Sequence, residues 1–227
     1  MSSVNSKKKI VKLAMIAAII VAVCAGISMA WESKYPSGTW RYKITINIDT
    51  PDGVKTGSAV REVTVRTGQL NLPGATPHKI PKGEAVVVDL GKGQLLFALT
   101  SFDDYQIVFR AFPYDGGGTT VEGIEYYSHL KNAKTFLVPE QLRFVRFKNI
   151  NDPKTVEEVK GQNLEASFGK GYKFNSASIE MTGELVTWGI EKYLPWLRGL
   201  KANLDGSYGR SSNKLSNALD VGNFRKR

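Results

Sequence analysis

The strongest pattern in the chain runs from Trp40 to Asp49, where Trp40, Tyr42, Ile44, Ile46 and Ile48 alternate without a break with Arg41, Lys43, Thr45, Asn47 and Asp49. A period of two puts the first set on one face of a half-buried β-strand and leaves the second in water. Thr50-Pro51-Asp52-Gly53 follows. Proline presets φ and glycine takes positive φ at no steric cost, so a turn is predicted, with a second strand folding back from Ala59 to Arg66. Residues 67–83 hold three prolines and three glycines and read as a long loop. Glu84–Leu90 then reads as a more fully buried strand, Gly91-Lys92-Gly93-Gln94 as a tight turn and Leu95–Thr100 as the returning strand, which makes a β-meander.

Periodicity is weaker in the middle. Tyr105–Phe112 fits a strand or a helix, and Gly116-Gly117-Gly118 breaks either one. Thr119 or Thr120 is placed to cap a helix from Val121 to Lys131. Leu142, Phe144 and Arg146 alternate with Arg143, Val145 and Phe147, which predicts a strand. Asn151-Asp152-Pro153 turns the chain, and two more strands, Thr155–Val159 and Tyr172–Thr182, flank a helical turn at Leu164–Phe168. The fold class expected is mainly β, with α+β as the alternative: an antiparallel sheet or sandwich-like domain with one or two short helices. It would occupy residues 40–200, after a linker at 31–39. Residues 201–227 are rich in Ser, Asn, Lys and Gly, end in Arg225-Lys226-Arg227 and read as a basic, disordered tail.

The N-terminus has a different pattern. Lys7, Lys8, Lys9 and Lys12 precede an uncharged run from Leu13 to Ala30, whose apolar side chains include Leu13, Ile16, Ile19, Ile20, Val21 and Val23. Basic residues followed by an apolar run are the layout of an export signal or membrane anchor. The 18 residues of the run stand at the lower edge of the roughly 17–25 that span a bilayer, so a cleaved signal and a retained anchor both fit. Small residues at Ser28 and Ala30, or Val23 and Ala25, frame cleavage sites, whereas Ile10 and Val11 extend the apolar stretch backwards past Lys12, whose stem can snorkel. The basic flank keeps the N-terminus inside and sends the body out. Trp31, Tyr35 and Trp40 then fall near the membrane exit, where aromatic rings favour the interface. Cys24, the one cysteine, lies within the run, so the exported body holds no disulfide. Val23 stands where a lipoprotein box has a small residue.

The formal charge of +10 has two sources outside the main body: the four N-terminal lysines, and residues 185–227 with eight basic and three acidic side chains. Residues 31–184 carry 19 basic against 18 acidic groups. No basic footprint for nucleic acid is left on the domain, and the membrane remains as the electrostatic partner. His78 and His129 are the only histidines and form no ligand pair; His129 with Asp103 and Asp104 makes a weak metal candidate. Gly91-Lys92-Gly93 and Gly169-Lys170-Gly171 lack the residues of a nucleotide loop and read as hairpin turns. No Gly-x-Ser-x-Gly elbow accompanies Ser128-His129. Glu122 with Glu125, or Glu157 with Glu158, would serve glycoside hydrolysis only across a cleft. No cofactor and no metal are expected. In Trp188–Leu200, apolar side chains stand among Glu191, Lys192, Arg198 and Lys201 around Pro195. Trp188, Tyr193 and Trp196 are the candidate docking residues for a membrane surface or an envelope protein, and the alternative is that they close the domain's own core.

Gly83–Gly93, Phe147–Val156 with Phe168-Gly169, and Gly189–Leu197 together resemble blocks of a family of small Gram-negative bacterial proteins that have an N-terminal hydrophobic segment and no assigned activity. The resemblance implies an envelope location and transfers no functional residue. The function expected is that of a membrane-anchored, periplasm-facing binding or scaffold module. The alternative is a cleaved, secreted hydrolase whose site is built from loops 67–83 and 113–120.

Overall fold

The computed structural model describes residues 13–24, 36–67, 78–100 and 104–227. The alternating segment lies within β1 (Ser37–Thr50), which pairs antiparallel with β2 (Gly53–Arg66) over its whole length, from Ser37↔Arg66 to Thr50↔Gly53. Trp40, Tyr42, Ile44, Ile46 and Ile48 are all buried. The opposite face is polar: Thr56 donates to Asn47 at 2.7 Å, and Asn47 donates to Ser176 at 3.0 Å.

The remaining strands are β3 (His78–Glu84), β4 (Val86–Gly91), β5 (Gln94–Ala98), β6 (Lys134–Leu137), β7 (Phe144–Phe147), β8 (Val156–Val159), β9 (Lys173–Met181) and β10 (Arg225–Lys226). They form two antiparallel sheets, one in the order β10-β3-β2-β1-β9-β6 and the other in the order β4-β5-β7-β8. The helices are short: α1 (residues 13–24), α2 (Asp104–Ala111), α3 (Val121–His129), α4 (Glu165–Phe168) and α5 (Leu215–Ala218). The mainly β, antiparallel expectation is met.

Several local expectations change. The ambiguous segment at 105–112 is helix α2. The loop expected over 67–83 ends in β3, which pairs with β2 even at Pro81↔Val63. On its other side β3 is paired among the described residues only with β10, at Glu84 and Gly83, so Pro81 lies outside that pairing, where a missing N–H is tolerated. Residues 68–77 lie outside the described residues. Gly91-Lys92-Gly93 is the β4–β5 hairpin turn, with Lys92 at φ 55°. Gly169-Lys170-Gly171, expected as a hairpin, instead joins α4 to β9: Gly169 closes the helix with positive φ, and its N–H bonds to Glu165 O. Gly57 has a steric role, because a Cβ there would stand 2.2 Å from Val87 O. The missing side chain lets β4 of the second sheet cross directly over β2.

The largest correction concerns residues 201–227, which are folded. The second sheet has two apolar faces. Val86, Val88, Leu90, Leu96, Ala98, Phe144 and Val159 face the first sheet in one core. Ala85, Phe97, Leu99, Val145 and Val156 face a second core, whose other side is the C-terminal segment: Ile190, Leu194, Leu197, Leu204, Leu219 and Phe224. Phe224 is 0% exposed, and its ring meets those of Phe97, Phe147 and Trp196 at centroid distances of 6.2, 5.8 and 6.1 Å. Its carbonyl accepts from Ala85 N at 2.8 Å, and that of Asn223 accepts from Thr100 N at 2.8 Å. Composition hid this layer, because a few large apolar residues are spaced widely among polar ones. Phe224→Ala is expected to lower unfolding free energy by about 3–5 kcal/mol, measured by urea denaturation. A change of less than about 1 kcal/mol would show the C-terminal layer to be dispensable.

Candidate functional site

A cleft of about 450 Å³ lies between α2, the Pro139–Arg143 turn and the end of β8. Arg110 comes from the last turn of α2, Arg143 from the residue before β7 and Lys160 from the residue after β8, and all three are exposed. Leu99, Ile107, Leu142, Phe144 and Val159 add an apolar lining. Glu140 and Glu158 are the carboxylates among the described lining residues. Glu158 lies 3.8 Å from Arg143 and 3.9 Å from Lys160, beyond hydrogen-bond reach of both. Glu140 accepts from Gln162. Gly161 keeps this wall closed: a Cβ there would stand 2.7 Å from the Pro139 ring and 3.0 Å from Phe144.

Arg61 also borders the cleft and is only 2% exposed. Its Nε donates to Glu84 O at 3.1 Å, and its Nη2 donates to Ala98 O at 3.1 Å and Leu99 O at 3.3 Å. The two Nη2 bonds run from the first sheet to the end of β5 in the second. The Glu84 side chain in turn accepts from Gly189 N at 2.9 Å and Ile190 N at 3.0 Å. Burial pushes the Glu84 carboxyl above its ordinary value, against the lowering pull of those two amides and of Arg225. A second cleft, about 330 Å³, borders the start of β1 and includes Arg41, Glu62, Ser128 and Lys131. Its carboxylate is fully engaged, with Arg41 at 2.7 Å and Lys82 at 3.2 Å. Burial raises the Glu62 carboxyl, but those two bonds outweigh it and hold it below its ordinary value of 4.5.

The hydrolytic candidates are dispersed. His129 ends α3, with Nδ1 2.8 Å from Glu125 O, and Ser128 donates to Ile124 O at 2.7 Å. His78 begins β3. Neither histidine lines any of the four clefts described. Glu122 and Glu125 lie on α3, whose N-terminus Thr120 caps by accepting from Gly123 N at 3.1 Å. Glu157 and Glu158 are neighbours on β8. Among the described residues no three His, Cys, Asp or Glu side chains are grouped to hold a metal ion; Asp103 is outside them. Lys7, Lys8, Lys9 and Lys12 are also outside, whereas Leu13, Ile16, Ile19, Ile20, Val21 and Val23 are on α1 and exposed.

The structure separates the three docking candidates. Trp196 packs its ring on Phe147 at 5.4 Å and donates from Nε1 to Ile150 O at 2.8 Å, so it is part of the second core. Tyr193 is half-buried against the same core, with Lys192 Nζ 4.7 Å from its ring centroid. Trp188 alone is exposed, at 48%, beside a still more exposed Leu185. They sit on the segment from β9 to the C-terminal layer, which is pinned where Thr187 N donates to Val60 O at 3.0 Å. The three cations of the main cleft escaped the sequence reading. They are 17 and 33 positions apart along the chain, between Arg143 and Lys160 and between Arg110 and Arg143, and no local motif joins them. Comparison with family models, curated proteins and solved structures finds no match to this chain.

Trp196→Ala is expected to destabilise the domain by about 3 kcal/mol, and Trp188→Ser by less than about 0.5 kcal/mol; paired urea melts test the contrast. Because the Glu62 carboxyl is lowered in the folded state, the stability it contributes is present above pH 4.5 and is lost as pH falls through its folded value. Glu62→Gln should therefore flatten the loss of stability between pH 5 and about pH 3. An unchanged acid limb in urea titrations would contradict this assignment.

Proposed function

We propose that this chain is a membrane-tethered module of the Gram-negative envelope, with its N-terminus inside and its β-domain in the periplasm, where it acts by binding. The observation that carries this reading is the exposure of α1. Leu13, Ile16, Ile19, Ile20, Val21 and Val23 are each more than half exposed and do not belong to either core. Each large apolar side chain left in water forgoes about 1.5–3 kcal/mol of transfer free energy, so the run needs an apolar medium that the domain does not supply. Four lysines precede it in sequence, as in an N-in signal anchor. No helix among the described residues is long and apolar enough to cross a membrane. The tether proposed is the whole run from Leu13 to Ala30, part of which lies outside them.

The domain's attachment suits this role. β1 begins at Ser37, close in sequence to the run, and the remaining strands are built around β1, so a pull on the tether would act on the most deeply embedded strand. Trp188 and Leu185 remain as exposed apolar side chains for contact with a membrane surface or an envelope protein. Cell fractionation with intact-mass analysis tests the proposal. The expected result is a membrane-pelleting chain of about 25.0 kDa that detergent releases. A soluble form beginning at Gly26 or Trp31 would overturn the anchor and establish the cleaved, secreted alternative.

A further inference from the structure

We infer that the cleft bounded by Arg110, Arg143 and Lys160 is a binding site for a phosphoryl group carried on a partly apolar or polyol body. This names the ligand class for the binding module proposed above and rests on that reading for its biological setting. Several cations elsewhere on the domain are committed to close partners: Arg41 to Glu62 at 2.7 Å, Lys43 to Glu184 at 2.9 Å, Lys148 to Glu157 at 2.6 Å. In the cleft, three cationic heads from three separate elements have no side-chain hydrogen bond among the described residues. Two of them share Glu158 at 3.8 and 3.9 Å, and Arg110 has no ion pair among the described residues. The C-terminal end of α2 accounts for a cation at 110 through the helix dipole. It does not account for two more from the opposite walls.

A single carboxylate is saturated by one forked guanidinium, whereas a phosphoryl group offers three oxygens to donors arriving from different sides. Asn223 adds a donor, because its oxygen already accepts from Asp220 N at 2.9 Å and its NH2 is left for the cleft. The buried Arg61, fixed by three backbone carbonyls, contributes positive charge at the cleft border without moving. Half-buried Leu142 supplies apolar surface for the body of the ligand, over the buried Ile107 and Val159. Against these stand two carboxylates among the described lining residues, of which Glu140 is turned to Gln162, so the described lining is net positive.

The test uses the full chain in a nonionic detergent at low salt, titrated by calorimetry with inorganic phosphate, glycerol 3-phosphate, acetate and short-chain phosphatidylglycerol. Saturable binding is expected for at least one phosphoryl probe and not for acetate. It should weaken at least about tenfold in the double variant Arg110→Gln, Lys160→Gln, because charge-assisted hydrogen bonds are the strong class. Lys170→Gln, on the exposed turn after α4, should leave it unchanged. Binding of phosphatidylglycerol without the soluble phosphates identifies a lipid headgroup as the source, and the reverse identifies a free phosphate. The inference is overturned if no phosphoryl probe binds, if acetate binds equally, or if the double variant, shown to melt like the parent, binds unchanged. Since the titration is done on the detergent-extracted chain, its failure is separate from a failure of the tether, which fractionation reads.

Discussion

The fold turns on the pair of buried charged residues at the junction of its layers, Arg61 and Glu84, which are 2% and 4% exposed. Arg61 stands on β2 of the first sheet and reaches three carbonyls, one at the end of β3 and two at the end of β5. Glu84 ends β3 where the chain leaves the first sheet for the second, and its carboxylate holds the two amides that open the C-terminal layer. Burying such groups costs several kcal/mol each unless every donor and acceptor is met. What they provide in return is registry. An apolar interface between two sheets can slide, but a guanidinium fixed to three carbonyls and a carboxylate fixed to two amides admit one arrangement.

That arrangement explains why the second sheet can be apolar on both faces. A four-stranded sheet covered on one side by the first sheet and on the other by coil must have its cover held in place, since coil has no ladder of its own. Glu84 holds the beginning of the cover, and the pairing of Arg225 and Lys226 with β3 holds its end. Between these two points Leu194, Leu197, Leu204, Leu219 and Phe224 close over Phe97 and Val145. The segment contributes only single helical turns and a two-residue strand, and much of the second core.

The main cleft lies beside this junction, and Arg61 belongs to both. Its walls come from α2, from the turn before β7 and from the end of β8, each set by the packing of the second sheet against the first. A site assembled in this way is rigid where it meets Arg61 and adaptable at its rim, where Arg110, Arg143 and Lys160 extend on long side chains. This combination suits recognition of a charged group on ligands whose bodies differ. The proposed tether would hold such a site within reach of the membrane surface.

Strand β1, its hairpin with β2, the Lys92 turn and the cap at Thr120 were legible in the sequence because each depends on near neighbours: a period of two, a Pro-Asp-Gly turn, a threonine oxygen within reach of an amide three residues on. The apolar run and its lysines are equally local, and they carry the membrane proposal. Three matters had to wait for tertiary structure. The helical state of α2 was decided by what its residues pack against. The order of residues 201–227 depended on a second apolar face of the sheet that no local pattern announces, and the same face took Trp196 into the core and left Trp188 outside. The cationic cleft was invisible for the same reason, because electrostatic convergence is a property of distance in space, and Arg110, Arg143 and Lys160 become neighbours only when the sheets close.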